Sequence, residues 1–87
     1  LAACVDAVEA HLGAIAAFAN NAGIEGVVAP IHDYPDDVFD QVMAVNARGV
    51  FLGLKHVLGR MHKRGKGAVV NTASSSSIRG RSGLAAY

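Results

Sequence analysis

The chain contains 87 residues, of which 52% are hydrophobic and 17% are charged, and its formal net charge is +1 with histidine neutral. This composition predicts a globular protein of at most one small domain and excludes intrinsic disorder, because disordered chains contain fewer apolar residues and carry a larger net charge. The small net charge also gives no electrostatic reason to expect a nucleic acid or an anionic membrane as a partner.

The cysteine and histidine content narrows the class of protein further. The single cysteine, Cys4, excludes an internal disulfide and favours a reducing compartment, so we expect a cytoplasmic protein. Because Cys4 lies in a helical apolar pattern, we expect it to be a buried small hydrophobe rather than a nucleophile.

The histidines show no metal-ligand spacing, and we predict no metal site. No apolar run reaches transmembrane length. The chain begins without methionine and inside a helical pattern, so we expect a fragment.

The sequence begins with a predicted helix and a predicted buried strand. Residues 2–12 carry apolar side chains at helical spacing, and Gly13 is suited to end that helix. Residues 14–19, AIAAFA, form a short apolar run that is typical of a strand buried on both faces. The small and polar residues NNAG, at positions 20–23, then predict a break in regular structure.

A long helix is predicted in the middle of the chain. Residues 24–35 contain two prolines and indicate a loop, in which Asp33 could cap the helix that follows. The helix is expected to run from about Asp36 to about Lys63. Its apolar residues cover nearly the whole circumference, which predicts that two of its faces are buried.

A second strand completes the predicted unit. Residues 67–73, GAVVNTA, indicate a buried strand, a loop of serine, glycine and arginine follows, and residues 84–87 look like the start of another element. The order strand, helix, strand predicts a βαβ unit, whose crossover makes the two strands parallel. Because two strands cannot shield their own apolar faces, the predicted fold class is α/β, as part of a doubly wound parallel sheet.

Polar residues collect where the predicted strands end. Asn20–Gly23 follow the first strand and Ser74–Ser77 follow the second, and ligands of parallel α/β sheets bind outside these carboxyl ends. Asn46 is a lone amide in the apolar helix, about 15 Å along its axis, which brings it level with the same edge. Gly49 and Gly53 share its helix face and allow a close approach. Asn46 therefore either belongs to a ligand site or is a structural amide that bonds only to backbone.

Four motifs together carry a family resemblance. NNAG after a buried strand, VNARG in the long helix, GAVVNTASS and the terminal AAY stand in the order and spacing that are typical of short-chain dehydrogenases/reductases. The chain resembles the central part of this family over essentially all of its residues. The resemblance implies a Rossmann-fold oxidoreductase that uses NAD or NADP and acts on a small alcohol or carbonyl substrate.

The resemblance also implies the catalytic residues. The family uses an Asn-Ser-Tyr-Lys tetrad, in which Asn46 matches the asparagine, Ser74 the serine and Tyr87 the tyrosine, while Ser75 is the alternative serine. In the family, the tyrosine acts as general acid/base, a lysine four residues later lowers its pKa, and the asparagine orders a water that leads to the lysine. The lysine and the glycine-rich dinucleotide motif would lie outside these 87 residues, so we expect the chain alone to be inactive.

Cofactor contacts and assembly are implied in the same way. The turn after the first strand would pass close to the cofactor ribose through Asn20, Asn21, Ala22 and Gly23. The family packs the long helix against its copy in a partner subunit, which implies a homodimer or homotetramer at full length. Two other functions stay open: a non-catalytic Rossmann scaffold or binding protein, and a related sugar-nucleotide epimerase or dehydratase.

Overall fold

The computed structural model describes all 87 residues, and they form three α-helices and two short strands in the predicted order. These elements are α1 (Ala2–Leu12), β1 (Ala17–Asn20), α2 (Asp36–Met43), α3 (Gly49–Arg64) and β2 (Ala68–Asn71). A π turn at Ala44–Arg48 joins α2 to α3, so the long helix is continuous from Asp36 to Arg64. Both predicted helices are confirmed. None of the helices combines the length and the apolar character that a bilayer crossing requires.

The two strands form a parallel pair, which confirms the predicted βαβ unit. Ala17 lies opposite Ala68, and Asn20 lies opposite Asn71 at the carboxyl end. Each strand has four residues and is shorter than the sequence predicted. The first strand begins three residues later than expected, and the carbonyl of Ile15 accepts a hydrogen bond from the Arg64 guanidinium.

The loop before α2 ends differently from the prediction. Asp33 does not cap α2, because it lies in a short 3₁₀ turn, Ile31–Asp33. The Asp33 amide donates to the carbonyl of Pro30, and the amide of Tyr34 after the turn donates to the carbonyl of Ile31. Pro35 precedes the helix, and no side chain caps its first turn. The expected acidic first turn is present, since α2 begins with two aspartates that face the positive end of the helix dipole.

The core lies between the long helix, α1 and the sheet. Its buried apolar side chains are Val5, Val57 and Met61, whereas Val42, the other buried apolar residue, lies apart from them beside Gly26. Only six of the 87 residues are buried, and the radius of gyration is 15.9 Å, whereas a compact domain of this length has one of about 12 Å. The chain is therefore elongated and leaves much of its apolar surface uncovered.

One expectation about burial is wrong within this chain. Cys4 is exposed, because it lies on the face of α1 that turns away from α3, whereas its neighbour Val5 in α1 is buried. The long helix buries one face within this chain, and Phe39, Phe51 and Leu58 on the second face remain exposed, with Phe51 at 59% of its maximum. That the second face is buried in the full-length protein stays a prediction. No other element of the chain packs against that second face.

Salt bridges tie α1 to the end of α3. Arg60 pairs with Asp6 and Glu9, and Arg64 pairs with Glu9 at 3.2 Å. Asp6 is exposed, and the side chains of Arg60, Arg64 and Glu9 keep about a quarter of their surface in solvent. Ion pairs that solvent reaches in this way each contribute about 1 kcal/mol. The network therefore fixes the angle between the two helices more than it stabilises the fold.

Candidate active site

A cavity of about 500 Å³ lies at the carboxyl edge of the sheet. Its walls come from the segment after β1, the π turn, the segment after β2 and the last residue of the chain. Asn46, Ser74 and Tyr87 all line it. Three residues that are far apart in the sequence therefore line one open cavity, at the edge where the topology predicted a site.

The turn after β1 lies partly in the cavity wall. Asn21, Ala22 and Gly23 line the cavity, whereas Asn20 does not. Asn20 is buried, and its side-chain Nδ2 donates to the carbonyl of Val50 at 3.0 Å. Its contacts thus anchor the end of β1 to α3.

Gly53 makes that anchor possible. A Cβ atom at this position would lie 3.0 Å from Asn20 Oδ1 and 3.1 Å from the Phe18 ring. A larger residue would therefore push α3 away from β1. The close approach that the sequence indicated for Gly53 is confirmed, whereas a Cβ atom at Gly49 would meet only the carbonyl of Ala44 within its own helix.

Thr72 links the two polar segments at the sheet edge. Its hydroxyl donates to Asn21 Oδ1 at 2.7 Å, and its amide donates to the carbonyl of Asn20 at 3.1 Å. The segments after β1 and β2 are thereby held side by side. This contact could not be predicted from the sequence, because a threonine after a strand has many possible partners.

Asn46 lies at the centre of the π turn, and its side chain is bonded at both ends to one residue. Its Oδ1 accepts from the amide of Ile24 at 2.8 Å, and its Nδ2 donates to the carbonyl of Ile24 at 2.7 Å. π turns insert an extra residue into a helix and are frequent at functional sites. The contacts fit the alternative of a backbone-binding amide, and they fix the segment after NNAG on the cavity wall.

Replacing Asn46 with alanine should lower the free energy of unfolding of the full-length protein by about 2 kcal/mol, because it removes the two hydrogen bonds that hold the backbone of Ile24, each worth about 1 kcal/mol. Denaturant titration measures this change. The control is Asn71→Ala, since Asn71 is exposed and makes no side-chain hydrogen bond in this chain; it should cost no more than about 0.5 kcal/mol. Equal losses in the two variants would contradict the role assigned to Asn46.

Gly26 fixes the other end of the same segment. Its φ of +80° suits glycine, and a Cβ atom there would lie 2.7 Å from Val42 Cγ2 and 2.8 Å from the Tyr34 hydroxyl oxygen. Gly13 has a similar φ of +92°, but a Cβ atom there would meet nothing within 4 Å. The two glycines therefore separate the cost of the backbone conformation from the cost of the contact.

We expect Gly13→Ala to destabilise the full-length protein by about 1–3 kcal/mol through its backbone alone, because φ +92° with ψ −173° is a region that only glycine occupies readily. Gly26→Ala should cost about 1–3 kcal/mol more, because the new methyl group overlaps a buried valine. Thermal and denaturant unfolding of both variants give the difference. If the two alanine variants are equally stable, Gly26 is not wedged against α2.

Ser74 begins the 3₁₀ turn Ser75–Ser77 and is held by three hydrogen bonds. Its Oγ accepts from the amide of Ser76 at 3.2 Å, and its carbonyl accepts from the Ser77 hydroxyl at 2.6 Å and from the Ser77 amide at 3.0 Å. Because the Ser74 oxygen acts as an acceptor here, its own hydroxyl hydrogen remains available to a ligand. Ser75, the alternative serine, does not line the cavity.

Tyr87 is brought to the cavity by a single parallel bridge. Ala29 pairs with Leu84, and the amide of Ala29 donates to the carbonyl of Gly83 at 2.9 Å. The predicted element at residues 84–87 is therefore only this bridge. Tyr87 is 42% exposed and lies on the cavity lining.

A larger groove of about 700 Å³ lies at the other end of the sheet, between the carboxyl end of α3 and the start of β2. Its lining consists of three apolar residues, three glycines and two polar residues, His62 and Lys66. It contains neither a hydroxyl group nor an amide side chain, so we assign the chemistry to the smaller cavity. No three His, Cys, Asp or Glu side chains in the chain gather closely enough to hold a metal ion.

A family model described as short chain dehydrogenase matches residues 1–87. The chain belongs to the short-chain dehydrogenase family. The family predicted from the four motifs is thereby confirmed. Levodione reductase from Leifsonia aquatica is 49% identical over 85 residues, which cover 98% of this chain and 32% of that protein.

Solved structures of dehydrogenases confirm the Rossmann-type α/β fold. NAD+-bound xylitol dehydrogenase superposes with a TM-score of 0.94 at 41% identity, over 99% of this chain and 33% of the other. A gluconate 5-dehydrogenase from Burkholderia cenocepacia in complex with NADP and tartrate gives a TM-score of 0.92 at 37% identity, with 99% and 33% covered. The chain thus spans about a third of the length of its relatives.

Proposed function

We propose that these residues are the central part of a single Rossmann-fold domain that interconverts an alcohol and a ketone with NAD or NADP. The observation that carries the proposal is the meeting of Asn46, Ser74 and Tyr87 in one cavity at the carboxyl edge of a parallel sheet. The low burial and the exposed second face of the long helix support a larger domain around the described residues.

The turn after β1 fits the ribose side of a dinucleotide. Asn21, Ala22 and Gly23 offer small side chains and exposed backbone on the cavity wall. At Gly23, a Cβ atom would lie 3.4 Å from Asn46 Oδ1, in ordinary contact, so this turn runs directly beside the Asn46 side chain. A bound nicotinamide would accept or deliver the hydride. The relatives with NAD+ and with NADP support this class of cofactor without deciding between the two.

Tyr87 is the proposed general acid/base. A phenolic hydroxyl is a weak base at neutral pH unless a cation lies beside it. We expect this cation from a lysine outside these 87 residues, and therefore expect the chain alone to be inactive. With the cation in place, Tyr87 would take the proton of the substrate hydroxyl in one direction and return it to the carbonyl oxygen in the other.

Ser74 and Asn46 have supporting parts in this proposal. The free hydrogen of the Ser74 hydroxyl would donate to the carbonyl oxygen and hold it within reach of Tyr87. Asn46 would act as a positioning residue, because its side chain is already bonded to Ile24 at both ends. The water-ordering role implied by the family would use the backbone or the remaining N–H of Asn46.

The uncovered face of the long helix supports a homo-oligomer. Phe39, Phe51 and Leu58 lie exposed along this face, and apolar surface of this kind marks an interface. We propose that the full-length enzyme is a homodimer or homotetramer that works in the cytoplasm on a small alcohol or carbonyl compound.

The absorbance of the reduced nicotinamide tests the proposed function. The full-length protein is mixed with NAD+ or NADP+ and a panel of secondary alcohols, and with the reduced cofactors and the matching ketones. Turnover of at least one pair is expected. Dinucleotide binding without turnover of any pair would favour the non-catalytic scaffold instead. The absence of both binding and turnover would contradict both functions.

A further inference from the structure

One charged side chain faces the candidate active site. Glu25 lines the cavity together with Asn46, Ser74 and Tyr87, and every other lining residue is uncharged. Glu25 is exposed, and no cation of the chain pairs with it, because all salt bridges involve Asp6, Glu9 or Asp33. A carboxylate without a cation thus faces the space that the substrate would enter.

The backbone of Glu25 is held on both sides. The residue before it, Ile24, is bonded to the Asn46 side chain through its amide and its carbonyl. The residue after it, Gly26, is wedged against Val42 and the Tyr34 hydroxyl. Because both neighbours are fixed, Glu25 is presented to the cavity from a defined point, as a specificity residue requires.

From this arrangement we infer that Glu25 determines which substrates enter the site. The inference rests on the proposed oxidoreductase function and goes beyond it by naming a substrate class. A carboxylate accepts strong hydrogen bonds from hydroxyl groups and repels other anions. Glu25 thus favours neutral ketones and alcohols that carry a hydroxyl group in addition to the reacting group. It disfavours those that carry a carboxylate.

Three ketones of matched size test this selectivity in the full-length enzyme. 5-Hydroxy-2-pentanone carries a hydroxyl group besides its carbonyl, levulinate carries a carboxylate and 2-pentanone carries neither. 4-Hydroxycyclohexanone, 4-oxocyclohexanecarboxylate and cyclohexanone form a cyclic series of the same design. The readout is the kcat/KM for the anion divided by that for the hydroxyketone, measured with the wild type, Glu25→Gln and Glu25→Lys.

We expect this ratio to rise about tenfold or more in Glu25→Gln, as for the loss of one charged hydrogen bond, and to rise further in Glu25→Lys. The control Asp40→Asn removes the same charge from an exposed residue of α2 that lies outside the cavity, and its ratio should match that of the wild type. A ratio within twofold of the wild type in both Glu25 variants would overturn the inference. Absence of turnover by the wild type with every ketone, including the wider panel above, would instead overturn the proposed function.

Discussion

Replacing Tyr87 with phenylalanine should lower kcat of the full-length enzyme by about 10²–10⁴, the usual contribution of a positioned acid/base group. The substitution removes a single oxygen and keeps the ring on the cavity lining. Binding of the dinucleotide, followed by fluorescence titration, should change little, because the phenol is assigned to proton transfer. The predicted signature is therefore a loss in kcat with an unchanged cofactor affinity.

Tyr34→Phe is the matched control. The chain has two tyrosines, and the hydroxyl of Tyr34 is buried without a hydrogen-bond partner and lies outside the cavity. Removing an unpaired buried hydroxyl is close to neutral for stability, so this variant should keep the wild-type kcat within about twofold. A fall of kcat by less than tenfold in Tyr87→Phe would exclude Tyr87 as the general acid/base.

Replacing Ser74 with alanine should lower kcat by about 10²–10³, the loss found when one donor to a developing oxyanion is removed. The same change removes the acceptor for the Ser76 amide, which should cost about 1 kcal/mol of stability as for other caps. Unfolding curves separate the two effects. A stability loss of this size leaves the variant folded under the assay conditions, so the loss of kcat is then due to the missing hydroxyl.

Two further variants show whether the Ser74 hydroxyl is responsible. Ser75→Ala changes the next serine, which does not line the cavity, and should keep the wild-type kcat. Ser74→Thr keeps a hydroxyl and should recover part of the activity. If Ser75→Ala loses as much activity as Ser74→Ala, the family serine was assigned to the wrong position.

Much of the fold was predictable because its signals are local. The helix at residues 2–12 was predicted at both ends, since its apolar spacing stops at a glycine with positive φ. The long helix was predicted within about one residue because an acidic first turn and a glycine-rich end bracket an apolar stretch. The parallel pairing followed from the strand–helix–strand order alone.

The differences concern interactions between distant residues. The strand lengths depend on which backbone groups pair, and the Ile15 carbonyl bonds to Arg64 instead. The π turn at Ala44–Arg48 has no separate sequence signal, since its residues continue the apolar helical pattern. Cys4 and the second face of the long helix were expected to be buried because the pattern does not show which surrounding elements cover them.

The candidate site was predictable where a motif marked it and not elsewhere. Asn46, Ser74 and Tyr87 came from the family resemblance, and the edge of the sheet at which they meet came from topology. Glu25 has no such signal, because it lies in an irregular loop where a carboxylate is ordinarily a solvated surface residue. Its position became clear only from the hydrogen bonds between Asn46 and Ile24 and from the packing of Gly26 against Val42 and Tyr34.

The most direct measurement is a crystal structure of the full-length enzyme with a dinucleotide and an unreactive ketone analogue. The analogue oxygen should lie within about 3 Å of both Ser74 Oγ and the Tyr87 hydroxyl, with the nicotinamide ring beside it in the same cavity. An analogue bound in another pocket, or a nicotinamide placed away from these two hydroxyls, would contradict hydride transfer at this site.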